Sequence, residues 1–327
     1  MTQRRQVLRL GAVVIALAAA IRLLSGGFFT PIFQSPQLVS FLMYLETGHV
    51  VRFTPWETPA PQETPPAPTE EQIPRPQEKP VFSAAQLENI SLQYHCNYRP
   101  DLQTLLTKPL SWDLKAQAPT VLIVHTHATE TFTEENIQYS GYYRTLDTNY
   151  NMVSMGDALA QMLRKGGIGV IHDKTLHDYP DYSSAYAATR ETIAHYLQKY
   201  PSIRMVLDLH RDASDSPEGQ LITSATVGGQ KSAQLMMVVG TDAGGNYHPN
   251  WQENLSLALK LTALLEENNP GISRPIDLRS QCFNMDMCDG SLLVEVGAAG
   301  NTHQEAILAV NALGQSILQL AQGTDGL

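Results

Sequence analysis

The sequence predicts an α/β domain over residues 119–327, built on a mostly parallel open sheet with helices on both faces. Two observations carry this. Short apolar runs alternate with longer amphipathic stretches, the order of strands joined by crossover helices. The runs are also apolar throughout rather than at every second residue, as strands covered on both faces must be.

In chain order, strands are expected at Thr120–Val124, Ile168–Ile171, Arg204–Leu209, Leu235–Val239 and Ser291–Val294, each bounded by Gly, Pro or a polar residue. Between the first two, Met152, Met155, Leu159, Met162 and Leu163 keep one face of a helix that stops at Gly166-Gly167. Residues Ser184–Gln198 and Glu253–Glu267 read as helices, the second ending before Asn268, Asn269 and Pro270. The last helix opens on a capping box, Thr302-x-x-Glu305, and carries Ile307, Val310, Ile317 and Leu320.

The first 118 residues read differently. Arg4, Arg5 and Arg9 precede an apolar run from Leu10 to Ile21, which is short for a spanning helix but fits a signal-peptide core, or a signal anchor extended from Arg22 to Phe29. An uncleaved anchor within residues 1–30 is the preferred reading, because Ala18-Ala19-Ala20 is the one small-residue cleavage candidate and sits against Arg22. The arginines hold the tip in the cytoplasm and send the rest across the cytoplasmic membrane. Residues 31–118 then form an extracytoplasmic linker and lead-in. Within them, residues 55–80 hold nine prolines interleaved with glutamates, too little apolar surface to offset ordering entropy. Stretched as polyproline, this spacer reaches about 80 Å.

A net charge of -10 gives no basic footprint, so nucleic acid is excluded as a partner. Cys96, Cys282 and Cys288 contain no CxxC pair, which leaves a Cys282–Cys288 disulfide and burial as small hydrophobes both open.

The chemistry concentrates at the carboxyl ends of three expected strands, where open parallel sheets form their sites. The first strand ends in His125-Thr126-His127, followed by Glu130; another ends in His210; a third ends in Glu295. A catalytic zinc keeps three protein ligands and a water, and His127, Glu130 and His210 meet that need. Glu295 is the candidate to take a proton from the water and return it to a leaving amine. His125 shares a face with His127 if the strand continues through both, and is placed beside the metal or on substrate. Asp208 could orient an imidazole or be neutralised by Arg211. His172, His177, His195, His248 and His303 read as surface or capping residues. There is no HExxH, GxSxG or phosphate-loop pattern.

These residues lie in four blocks: VLIVHTHATETF (121–132), LDLHRDA (207–213), VVGTDAGGNYHPNWQENLSLALKL (238–261) and CFNMDMCDGSLLVEVGAAGNTHQEA (282–306). Through them the chain resembles the stage II sporulation protein P family. The resemblance implies a zinc-dependent N-acetylmuramoyl-L-alanine amidase that cuts stem peptides from peptidoglycan, with His127, Glu130 and His210 as ligands and Glu295 as base. It further implies endopeptidase action on cross-links, a role in septal wall thinning and engulfment, and as partners a sporulation lytic transglycosylase and a membrane scaffold protein. Asn284 becomes a candidate substrate contact, although Asn284-Met285 stands where the family has Asn-Gln. Arg274 is a candidate for a stem-peptide carboxylate or for holding a loop. Asn250, Trp251 and Asn254 match the family, with Trp251 read as packing rather than binding. A peptidase acting mainly on cross-links, and a wall-binding scaffold with a degenerate site, are the competing readings.

Overall fold

Residues 80–114, 118–133, 143–216 and 219–323 are described by a computed structural model, and all belong to the compact unit Pro74–Leu327. The expected anchor and the spacer up to residue 79 lie outside the described residues. No helix among the described residues is long and apolar enough to cross a membrane.

The strands are β1 (Leu92–His95), β2 (Val121–Val124), β3 (Val170–His172), β4 (Met205–Asp212), two small antiparallel hairpins, β5 (Asp215–Ser216) with β6 (Gly219–Gln220) and β7 (Ala225–Val227) with β8 (Gln230–Ser232), then β9 (Leu235–Gly240), β10 (Ile276–Arg279) and β11 (Ser291–Ala298). The helices are α1 (Leu102–Thr107), α2 (Met152–Lys165), α3 (Ala185–Lys199), α4 (Trp251–Asn268) and α5 (His303–Gly323). Seven strands share one sheet in the order β1-β10-β9-β11-β4-β2-β3. All neighbours pair in parallel except β11 and β9. That exception has a chain-path cause. Only hairpins separate β4 from β9, so no crossover helix carries the chain back to its starting edge, and β9 returns antiparallel.

Local chemistry fixes the helix ends. Asn151 caps α2, its side chain accepting from Val153 N at 3.0 Å, and Arg164 and Lys165 complement the helix dipole before Gly166. At α5 the expected capping box is present: Glu305 N donates to Thr302 Oγ1 at 3.2 Å and Thr302 N to Glu305 Oε2 at 3.3 Å.

The helices α2, α4 and α5 cover one face of the sheet, with Val121, Ile123, Leu207, Val239, Leu278 and Val294 beneath them. On the other face α3 covers only one side, packing Ile193 on Leu122, Val124 and Val206. Over the rest of that face, across β11, β9, β10 and β1, no α-helix lies among the described residues. A loop brings Phe283 and Met285 onto Met236, Val238 and Leu293, and beyond them lie Asp277, Arg279, Gln93 and His95.

The structure differs from expectation in three respects. Leu92–His95 and Leu102–Thr107, within the stretch read as a lead-in, supply an edge strand and a helix. The strands β1 and β10 alternate apolar and polar residues over four positions, because one of their faces is bare, and a search for wholly apolar runs passes over them. His210 and Glu295 sit inside β4 and β11 rather than past their ends. The cysteines are free, and Trp251 stacks on Tyr98 with ring centroids 5.0 Å apart.

Helix α2 is seated on the sheet through Gly156, where an added methyl would overlap Nε2 of both His125 and His172. Gly156→Ala should therefore lower stability by about 1–3 kcal/mol through overpacking, although alanine gains about 1 kcal/mol in helix propensity. Urea unfolding would decide; a more stable variant would show that the two rings can move aside.

Candidate active site

The strand β2 ends at Val124 and the chain turns at once, with Glu130 N donating to His127 O at 3.1 Å. Two buried carboxylates from other segments hold this turn. Asp208 accepts from Thr126 N at 2.8 Å and from Thr126 Oγ1 at 2.6 Å; Asp178 accepts from Thr129 Oγ1 at 2.6 Å and Thr129 N at 3.2 Å. Since the strand does not continue through His125 and His127, the alternation that would put both on one face does not apply, and the rings diverge.

His125 is wholly buried, its Nε2 2.8 Å from Nε2 of His172 and its Nδ1 3.2 Å from the Leu209 carbonyl. Burial, helped by His172, pushes its pKa down to about 3. His127 instead enters a cleft of about 420 Å³, edge-on to His210 at a centroid distance of 5.2 Å and stacked on Tyr182 at 4.3 Å.

The strands β4 and β11 supply the floor, where Glu295 is the direct partner of His210 in the ladder. Nδ1 of His210 lies 3.6 Å from Glu130 Oε2, and its Nε2 lies 3.1 Å from Asp208 Oδ1, off the axis of a hydrogen bond. Burial opposes charge on this ring, but Asp208 and Glu130 outweigh it and hold its pKa well above the ordinary value. For Asp208, burial acts upward and is overcome by His210 and the Thr126 donors, so the carboxyl is lowered. Glu130 is likewise brought down to about 2, against burial, by His210 and Arg211.

Arg211 pairs with Glu130 rather than Asp208. Its backbone N donates to Glu130 Oε2 at 3.3 Å, Nε to the Thr131 carbonyl at 3.0 Å and Nη2 to the Tyr143 carbonyl at 2.8 Å, with Nη1 3.8 Å from Glu130 Oε1. It is a clamp on the turn. Among the described residues no such cation contacts Glu295: burial pushes its carboxyl up to about 8, with Glu130 and Asp212 adding to the effect against the charges of His210 and Arg211.

Two other sequence candidates sit at the margin. Arg274 forms an ion pair with Asp212 at 2.7 Å on the cleft rim. Asn284 has left-handed backbone, φ 60°, as does Phe283 before it, and its polar atoms face α3: Nδ2 donates to the Tyr186 carbonyl at 2.8 Å and Oδ1 accepts from Arg190 at 3.4 Å. It shapes the wall of the cleft. His127, Glu130, His210, Arg211, Arg274 and Glu295 thus line one cleft, whereas His125 and Asn284 do not.

Sequence reasoning passed over Tyr182, Tyr186 and Asp178. Tyr186 lies in the first turn of α3 and Tyr182 in the loop before it, and nothing local says that either meets a metal-type site. The histidines read as surface or capping residues need correction. His177 and His248 are buried, and the His172 side chain is 1% exposed, held by Asp157 at 3.1 Å. Burial was illegible there because each ring finds its polar partner on a distant segment. His195 is exposed as expected, and His303 is half-buried with Nε2 2.8 Å from Ser154 Oγ.

Five buried polar atoms of residues lining the cleft have no hydrogen-bond partner among the described residues: His127 Nδ1, His210 Nε2, Glu295 Oε2, Arg274 Nη1 and Arg279 Nε, of which those of His210 and Arg274 are ion-paired with Asp208 and Asp212. An unpartnered buried group costs about 1–3 kcal/mol, so such atoms converge where a ligand completes them. Two imidazoles and a nearby carboxylate are the donor chemistry of a divalent zinc site. Among the described residues no group of three His, Cys, Asp or Glu side chains stands ready-arranged to hold a metal ion, because His210 is drawn onto Asp208 and Glu130. The donor types fit; the rings here are those of an ion-paired cluster.

Fold and site together define an α/β protein with a polar cleft on its sheet, floored by imidazoles and carboxylates from three separate segments. The chain belongs to the stage II sporulation protein P family, whose family model matches residues 56–318. Stage II sporulation protein P of Bacillus subtilis (strain 168) is 27% identical over 203 residues, 59% of this chain and 48% of the relative, so the chain spans about half the length of that curated relative. Among solved structures, the N-acetylmuramoyl-L-alanine amidase AmiC2 of Nostoc punctiforme is 12% identical with a TM-score of 0.37, covering 62% of this chain and 97% of its own. The N-acetylmuramoyl-L-alanine amidase of Clostridium difficile 630 is 15% identical with a TM-score of 0.37, covering 64% and 100%. The CwlD amidase of Clostridioides difficile, solved with the GerS lipoprotein, is 13% identical with a TM-score of 0.36, covering 62% and 94%. Likeness at that level does not bear on what this chain does.

The raised carboxyl gives a testable pH signature. A pKa that rises on folding, here from 4.5 to about 8, stabilises the metal-free native state fully below the lower value and loses that contribution as pH climbs through the upper one. Glu295→Gln should flatten the stability profile between about pH 5 and 9 and exceed the unmodified protein at the alkaline end, by on the order of 2–4 kcal/mol. Urea unfolding of both proteins in chelator checks this; parallel profiles would mean that the carboxyl titrates as if exposed.

Proposed function

We propose that this chain is a zinc-dependent peptidoglycan hydrolase, an N-acetylmuramoyl-L-alanine amidase that releases stem peptides from glycan strands during septal wall thinning and engulfment in sporulation. The observation that supports it most is that His127, Glu130, His210 and Glu295 line one cleft, with His127 Nδ1 and Glu295 Oε2 buried and without a hydrogen-bond partner among the described residues. Family membership supports the sporulation setting and the wall as substrate.

In this reading His127, Glu130 and His210 hold the zinc. When bound, the ion supplies Lewis acidity toward the scissile carbonyl and lowers the pKa of a water in the site. The remaining work belongs to the protein. Glu295 in its ionised form takes the proton from the attacking water, and the burial that raises its proton affinity lets it hold that proton until it passes to the leaving alanine nitrogen. Asp208 and the Arg211 clamp keep His210 and Glu130 in place through the proton transfer. Arg274 and its partner Asp212 stand at the mouth, where they can orient a charged peptide.

The setting is part of the proposal. An anchor within residues 1–30 holds the chain in the cytoplasmic membrane, and the Pro-rich spacer lets the catalytic domain reach the septal wall from the extracytoplasmic side. A sporulation lytic transglycosylase and a membrane scaffold protein act beside it.

The test uses the full chain on purified peptidoglycan, with released products identified by mass. Free stem peptides carrying an N-terminal alanine should appear, chelator should stop their release, and Glu295→Ala should slow it by a factor on the order of 10²–10⁴. Bound zinc measured by elemental analysis should fall in His127→Ala and persist in His125→Ala. Undiminished release by Glu295→Ala would overturn the role of that residue, and products cut only in cross-links would make the enzyme an endopeptidase.

A further inference from the structure

The bare half of the sheet carries a second polar cluster that the chemistry above does not use. Asp277 on β10 is buried, and both of its oxygens are engaged: Oδ1 lies 2.6 Å from His95 Nδ1 on β1, and Oδ2 accepts from Arg279 Nη1 at 3.1 Å. Gln93 Nε2 lies 3.1 Å from His95 Nε2 and steadies the far side of that ring. Asp277 therefore holds Arg279 by one corner of its guanidinium. The opposite edge, which carries Nε, is left over, and Nε is buried with no hydrogen-bond partner among the described residues. That edge is the half of an arginine fork that binds a carboxylate through two parallel bonds.

These side chains line the same cleft as Glu295 and His210. The ladders give their spacing. Glu295 faces Met236 on β9, and Arg279 faces Gly240 on the same strand, one strand further over on β10. Two strand spacings across and four residues along amount to roughly 16 Å between the Cα positions of Glu295 and Arg279. Allowing about 5 Å for the arginine side chain, an anion on its free edge lies roughly three or four extended residues from the reacting atoms at about 3.3 Å per residue. Met236, Val238 and Leu293 form the apolar bed between the two ends.

We propose that Arg279, oriented by Asp277 and His95, is the specificity-determining residue for a carboxylate located three to four residues along the peptide from the scissile bond. The proposal rests on the hydrolase reading above. It sets the polarity of the substrate: peptide across the charged half-face of β9, β10 and β1, glycan on the side of His127 and Tyr182. An uncharged glycan has no use for a buried arginine edge, whereas a peptide carboxylate completes it.

The experiment separates this claim from the catalytic one by measuring binding as well as cleavage. Full-length Glu295→Gln protein is titrated with muramoyl tri- and tetrapeptides ending in a free carboxylate or in a carboxamide, and unmodified protein is assayed on the same compounds. The carboxylate forms should bind at least tenfold tighter, and this preference should collapse to within about twofold in Arg279→Ala and be only partly restored by Arg279→Lys, which keeps the charge without the fork. The change should fall on KM and leave kcat of the carboxylate substrates within about twofold. Equal binding of carboxylate and carboxamide peptides by protein with Arg279 intact would overturn the proposal even if cleavage is robust. A preference that survives in both Arg279 variants, with thermal unfolding unshifted, would place the anion elsewhere. A carboxylate preference without any cleavage would sustain the subsite and sink the hydrolase.

Discussion

Asp208 is the joint on which the site depends. It is a buried carboxylate in the middle of β4 that spends one side on the Thr126 backbone and hydroxyl and turns the other toward His210. Through it, the turn that carries His127 and Glu130 is fastened to the strand that carries His210. A charge so placed survives burial only because each lone pair has a donor or a cation nearby. Remove it and two segments lose their common anchor at once, with His210 left facing Glu130 alone.

Around that joint the fold divides the titratable groups into opposed classes. Glu130 is held ionised by His210 and Arg211 and Asp208 by His210 and the Thr126 donors, while Glu295, two strand-widths from the turn, is held toward protonation. Burial acts upward on all three; cations and donors in contact overcome it at Glu130 and Asp208 but not at Glu295. Arg211 hydrogen-bonds the turn and its carbonyls and acts on Glu295 only through its charge, while Arg274 is taken by Asp212. Two carboxyl environments within one cleft are what acid–base chemistry at neutral pH requires.

How much of this was legible in the sequence depends on what each residue's environment is made of. Strands β2, β4, β9 and β11 are covered on both faces over most of their length, so composition alone betrays them, and helix ends at Gly166 and Thr302 follow local rules. Strands β1 and β10 escaped because their Asp277, Arg279, Gln93 and His95 face an open cleft and dilute the apolar signal. Candidates His127, Glu130, His210 and Glu295 were nameable from their places after or within apolar runs. The divergence of His125 from His127 was not, since it turns on where β2 stops, which is decided by Asp208 and Asp178 from segments 82 and 49 residues away. Burial of His172 and His177 has the same origin in distant partners.

The pairing of Glu295 with His210 in adjacent strands has a consequence for the life of the chain before it is finished. The cleft draws on residues near 127, 210 and 295: pairing of β2 with β4 joins the first two segments, but β11 must emerge and pair with β4 before Glu295 joins them. A nascent chain, or one still threading through a pore, holds the parts without the machine. The cleft of such a protein exists only once its topology is complete, and damage to the last strand undoes it as surely as damage to the first.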